Sequence, residues 1–240
     1  MIHALLLDLD NTLLENQMDR FIIAYMAAVG QYMADRFPPE VFIKHLMTAT
    51  NAMLLNRDPA RTNQEAFDAV FFPLIQRSRE EMEPLFDDFY TNHFPTLRPL
   101  TRPNPEARPL LEWAFAEGFQ IAIATNPLFP LTAIAQRLDW AGVPVEAFPY
   151  HLITSYEHMH ATKPQPAYFL EIAQRLGCQV EECIMVGDDW EQDIRPAMSV
   201  GMHTYWIANG DQKPPEGEPL PAGQGSLADF GRWIRANRML

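Results

Sequence analysis

Five short apolar runs constrain the fold more than any other feature of this 240-residue chain: Ala4 to Leu9, Phe119 to Ala124, Leu152 to Thr154, Cys183 to Val186 and His203 to Ile207, each ending in polar residues. Their hydrophobicity is nearly continuous instead of alternating, as in strands covered on both faces of a parallel sheet. Between them lie segments with helical apolar spacing, Pro105 to Glu117, Leu131 to Trp140, Ala167 to Leu176 and Gln192 to Val200. Gly118, Gly142, Gly177 and Gly201 sit just past their ends as terminators. Parallel strands need crossover connections, so the alternation from about residue 105 onward predicts an α/β core, a parallel sheet with helices on both faces.

Strand signals vanish between the first run and Arg98. Helical patterns over Met18 to Phe37, Pro39 to Leu55, Asn63 to Arg79 and Glu80 to Phe94 replace them, with turns at FPPE and RDPART. This interval reads as an insertion forming a small all-helical domain, residues 15–97, on a core made of residues 1–14 and 98–240. The proline-rich stretch from Pro99 to Pro109 is the returning linker. After Ile207, NGDQKPPEGEPLPAGQG reads as a surface loop, and Ser226 as the cap of a last helix from Leu227 to about Arg238.

Eighteen basic against thirty-one acidic side chains leave a formal charge of −13, a field that repels nucleic acid and anionic lipid. The apolar start of the chain is interrupted by Asp8 and Asp10, unlike a signal peptide, and no run reaches membrane-spanning length. The expectation is a cytosolic (cytoplasmic) protein with neither a nucleic-acid nor a membrane partner. Cys178 and Cys183, without a second pair, read as reduced, buried core thiols.

The acids occupy informative places. Ligands of open parallel sheets bind at the carboxyl ends of the strands. Asp8 and Asp10 end the first run, Thr125 and Asn126 the second, and Asp188 and Asp189 the fourth. If the first and fourth strands are neighbours, at least three carboxylates share a small volume, which is costly unless a cation intervenes or a proton is shared. A hard divalent ion with oxygen ligands, above all Mg2+, relieves that repulsion. Lys163 supplies a second positive charge. A phosphate there would meet the metal, the ammonium, the Thr125 hydroxyl and the backbone amides after Asp8, those of Leu9 and Asp10. His151, His158 and His160 read as loop residues, because the site already has its own ligands.

DLDNT (Asp8 to Thr12), Thr125 after IAIA, Lys163 before a proline-containing helix start, and GDDWEQD (Gly187 to Asp193) together resemble, in order, the four motifs of the haloacid dehalogenase-like (HAD) superfamily, mostly phosphatases. The resemblance spans roughly residues 1–14 and 98–208, and the helical insertion is similar to the family's cap in position and pattern. It implies a Rossmann-like core in which Asp8 is the nucleophile that forms an aspartyl-phosphate and Asp10 the general acid and base. Magnesium would be held by Asp8, the Asp10 backbone carbonyl and Asp188. Thr125, Asn126 and Lys163 would hold the phosphoryl group, with Asp193 and Asp189 in the outer shell of the site.

The implied activity is hydrolysis of a small phosphorylated metabolite. A haloacid dehalogenase, a phosphomutase and a non-catalytic binding relative are the alternatives. Substrate selection is expected from the insertion, where Arg20, Lys44, Arg57 and Arg61 are basic candidates and Phe21, Tyr25 and Met26 face the core.

Overall fold

In the computed structural model, which describes residues 1–208, 210 and 212–238, the five apolar runs form one parallel sheet. Asn209 and Asp211 of the expected surface loop, and Met239 and Leu240 of the expected core, lie outside the described residues. The strands are β1 (Ala4–Leu7), β4 (Gln120–Ile123), β5 (Leu152–Ile153), β6 (Cys183–Gly187) and β7 (His203–Ile207), with β8 (Gly223–Gly225) added at one edge, in the order β5-β4-β1-β6-β7-β8. Alternate side chains pack on opposite faces. Leu5, Leu7, Ile121, Ile123, Ile184 and Val186 join one hydrophobic cluster, whereas Ala4, Leu6, Ala122, Cys183 and Met185 join another with Tyr168, Phe169 and Ile172 of α7 (Pro166–Leu176). Both faces are therefore dry, which is why the strands read as continuous apolar runs.

The helices α5 (Ala107–Ala116), α6 (Leu131–Trp140) and α7 match their sequence patterns within two residues at either end, and Gly118, Gly142, Gly177 and Gly201 all take positive φ. The expected helix over Gln192 to Val200 is instead a π-helical turn, Trp190–Ile194, followed by the short α8 (Arg195–Ser199). Pro196 lacks the N–H that a continuous helix would use. The last helix, α9 (Leu227–Asn237), carries the expected cap: the Ser226 hydroxyl accepts from the Asp229 N–H.

Three strands lack the apolar signal that marks the others. Leu14–Asn16 (β2) pairs antiparallel with Thr101–Pro103 (β3), so the two connections to the insertion form a ribbon where no strand was expected. The end of the expected surface loop is β8, parallel to β7. Its glycines carry no hydrophobic pattern, but a Cβ on Gly223 would lie 2.6 Å from the Tyr205 ring, so the close approach itself requires glycine. Cys178 is half-buried, not buried as expected, while Cys183 is buried; both are free thiols.

The insertion comprises α1 (Met18–Tyr32), α2 (Pro39–Leu55), α3 (Asn63–Ile75) and α4 (Arg79–Asp88), followed by π and 3-10 turns to Leu100. Thr62 and Ser78 cap α3 and α4 with capping boxes. Its buried aromatics Phe21, Tyr25, Phe42, Phe71, Phe89 and Phe94 are continuous with the core cluster on one face of the sheet. Buried amides tie it to the loop before Lys163: Asn56 Nδ2 donates to the His160 carbonyl (3.0 Å), Asn63 Nδ2 to that of Ala161 (3.1 Å), and the Asn63 N–H to that of Met159 (2.8 Å). Among the described residues no helix is long and apolar enough to cross a membrane. Asn63→Ala strands the buried Ala161 carbonyl and is expected to lower stability by about 1–3 kcal/mol, read as a shift of the urea midpoint at unchanged slope.

Candidate active site

Register brings the acids together. Leu7 lies opposite both Ile123 and Val186, so β1, β4 and β6 end side by side and the next residues leave the sheet at one edge. The Asp8 N–H donates to the Val186 carbonyl (2.9 Å) and the Ala124 N–H to that of Leu7 (2.7 Å). The chain visits β4 and β5 on one side of β1, then β6, β7 and β8 on the other, which makes the β1/β6 crevice the switch point where such sheets bind ligands.

Oxygens of Asp8, Asp188 and Asp193 lie within 4.8 Å of one another. Lys163 Nζ sits between two of these acids, donating to Asp8 Oδ1 at 2.7 Å and pairing with Asp193 Oδ1 at 2.5 Å. All but Asp188 are buried. Burial pulls the Lys163 ammonium down, but Asp193 and Asp8 push harder and hold it well above the lysine range. Burial, then the charge of Asp8, pushes the half-buried Asp188 up to about 7, and burial raises Asp193 against the opposing ammonium. One ammonium among three carboxylates leaves an uncompensated negative charge, and oxygen donors this close match a hard divalent cation.

Local structure explains each placement. Asn11 takes φ 56°, a conformation asparagine tolerates, and turns the chain so that the N–H groups of Leu13 and Leu14 both donate to the Leu9 carbonyl at 2.9 Å. Gly187 makes room for Asp193: a Cβ there would fall 2.2 Å from Asp193 Oδ2. Trp206 Nε1 donates to the Asp188 carbonyl at 2.9 Å, a contact with no local signal along the chain. Thr125 is buried, and its carbonyl accepts from the Thr154 hydroxyl (2.7 Å) and the Tyr168 hydroxyl (2.8 Å). Asn126 Oδ1 accepts from the Lys163 N–H at 3.3 Å, joining the ends of β4 and the lysine loop.

Not every expected residue joins the cluster. Asp189, expected in its outer shell, is exposed and caps the next turn, accepting from the N–H groups of Glu191 (2.8 Å) and Gln192 (3.0 Å). The Asp10 carboxylate is engaged elsewhere, with Arg137 Nη2 on one oxygen and Asn16 Nδ2 (2.9 Å) on the other. Arg137 carries no distinguishing mark in the sequence, where its spacing is that of an ordinary helix arginine. The histidines are separately occupied: His151 Nδ1 accepts from the Ile121 N–H (3.1 Å), His158 faces Ser155 and His160 faces Glu171. Asp188 lines a polar cleft of about 950 Å³ with Asn11, Asn16 and Asn104. Tyr25 and Met26 instead line an aromatic cavity of about 530 Å³ between the insertion and the core, which includes none of the clustered acids. Arg57 donates to the Leu54 and Asn56 carbonyls, and Arg61 to that of Glu65.

The profile of haloacid dehalogenase-like hydrolases matches residues 2–201. Over 123 residues the chain is 32% identical to the glyceraldehyde 3-phosphate phosphatase of Methanopyrus kandleri, covering 50% of this chain and 51% of that protein. It is 30% identical over 117 residues to the phosphoserine phosphatase of Thermus thermophilus, covering 49% and 45%. The chain thus spans about half the length of these curated relatives. A solved 2-haloacid dehalogenase from Pseudomonas syringae shares the fold at a TM-score of 0.67 and 23% identity, covering 98% of this chain and 99% of that one.

The raised Asp188 sets a pH dependence. Its native carboxyl keeps a proton that the unfolded chain releases, so stability falls as pH rises from the ordinary value of 3.8 towards about 7. With EDTA, the thermal midpoint is expected to drop between about pH 5 and about pH 8 by less in Asp188→Asn than in the wild type, and magnesium to raise the wild-type midpoint more at the higher pH.

Proposed function

Because this chain belongs to the haloacid dehalogenase-like hydrolase family, we propose that it is a magnesium-dependent phosphomonoester hydrolase acting on a small phosphorylated metabolite. The observation that carries the reading is the grouping of Asp8, Asp188 and Asp193 around the Lys163 ammonium at the strand ends. Asp8, the Asp10 carbonyl and Asp188 would hold Mg2+, which when bound neutralises charge on the phosphoryl oxygens and on the acids. Asp8 attacks phosphorus, the ester P–O bond breaks, and Asp10 delivers a proton to the departing alkoxide. Water then attacks the aspartyl-phosphate, gives its proton to Asp10 and releases phosphate and free Asp8. Lys163, the Thr125 hydroxyl, Asn126 and the Leu9 and Asp10 amides hold the phosphoryl group, while Asp193 fixes Lys163. Residues 15–97 act as a cap that selects the substrate above a core of 1–14 and 98–240.

A dehalogenase uses the same nucleophile but gains nothing from three clustered acids. Phosphate release from p-nitrophenyl phosphate, phosphoserine and glyceraldehyde 3-phosphate, with magnesium and with EDTA, tests the reading, beside chloride release from 2-chloropropionate. Expected is metal-dependent phosphate release that falls at least about a thousandfold in Asp8→Asn. Residual activity above about a tenth excludes Asp8 as nucleophile, and chloride without phosphate selects the dehalogenase.

A further inference from the structure

We propose that Arg137 is a positioning residue for the reaction, fixing the orientation of the Asp10 carboxylate through an ion pair; this role rests on the reading of Asp10 as proton donor. Arg137 lies on α6 and is 1% exposed. Its Nη2 contacts Asp10 Oδ2, while Asn16 Nδ2 of β2 holds Oδ1. The carboxylate is thus clamped by two elements far apart in sequence, which leaves it little rotational freedom. The guanidinium itself is confined between two rings, 5.7 Å from the Phe21 centroid and 5.5 Å from that of Phe129. Phe21 belongs to the helical insertion and Phe129 to the loop that follows Thr125 and Asn126, so the arginine is braced by both the insertion and the core.

Stability alone is a weak reason for this arginine. Burial pulls its guanidinium down to about 10, still charged at neutral pH, and its Nε has no hydrogen-bond partner. A buried ion pair satisfied this incompletely is commonly no more stable than apolar side chains of the same volume. What the arginine does supply is a planar charge held between two rings with one N–H donor on one carboxylate oxygen, which a lysine or an apolar residue would not reproduce.

The test exploits leaving-group basicity. Nitrophenolate departs from p-nitrophenyl phosphate with little need of a proton, whereas the more basic phenolate of the similarly sized phenyl phosphate needs one, and kcat/KM reports this first step. The ratio of kcat/KM for the two substrates is expected to rise at least about tenfold in both Asp10→Asn and Arg137→Met. In the double variant, Arg137→Met adds less than about twofold to the effect of Asp10→Asn. An equal loss on both substrates in Arg137→Met, or an undiminished loss when Asp10 is already replaced, marks a structural role and overturns the proposal. A shifted ratio in Asp10→Asn alone overturns it while leaving the phosphatase reading standing. No shift in Asp10→Asn removes the proton-donor role and this proposal with it, and no phosphate release by the wild type removes the phosphatase reading itself. Arg137→Gln, which keeps one N–H donor without the buried charge, gives the same readout if Arg137→Met does not fold.

Discussion

Three carboxylates crowded at the end of a parallel sheet are the constraint on which the rest of the site depends. Asp8 and Asp188 follow strands that run side by side in register, so the hydrogen-bond ladder itself enforces their proximity. Asp193 is added by the π-helical turn, which only the missing side chain of Gly187 allows to come so near. Repulsion in a poorly solvated crevice is then unavoidable, and a single ammonium answers only part of it. The site is therefore suited to a cation before any substrate arrives, within a chain whose overall charge is −13.

Neutral and cationic groups around the acids set their orientations. Trp206 holds the Asp188 carbonyl, Asn126 the Lys163 backbone, and Arg137 with Asn16 the Asp10 carboxylate. None of these is adjacent in sequence to the group it holds. Each depends on a strand or helix packed from elsewhere, so errors in core packing would be felt as misplacement at the site.

The helical insertion is bound into this arrangement. Its aromatic core continues into that of the sheet, and buried Asn56 and Asn63 bond to carbonyls of the loop that delivers Lys163. The polar cleft beside Asp188 and the aromatic cavity under the helices are distinct spaces, one lined largely by amides and carboxylates, the other by aromatic rings together with aliphatic and charged side chains. Asp188 of the acid cluster borders the first.

Much of this was legible in the chain because it is encoded locally. Runs such as Ala4 to Leu7 and Cys183 to Gly187 are apolar throughout since both faces of a central strand are dry, and the acids stand out as the first polar residues after them. Glycine terminators and the Ser226 cap are likewise short-range signals. Beyond local reach were β2, β3 and β8, whose strand state comes from a partner's backbone and not from their own side chains, and the break before α8 imposed by Pro196. Asp189 shows the same limit, since adjacency to Asp188 says nothing about which way a side chain turns at a strand end. Sequence alone determined the alternation of elements and the acids at the strand ends, because periodicity and spacing are properties of neighbours along the chain. Only the tertiary structure decided that Arg137 meets Asp10 and that Asn63 meets the lysine loop, because those contacts join residues about a hundred positions apart through packing that leaves no local trace.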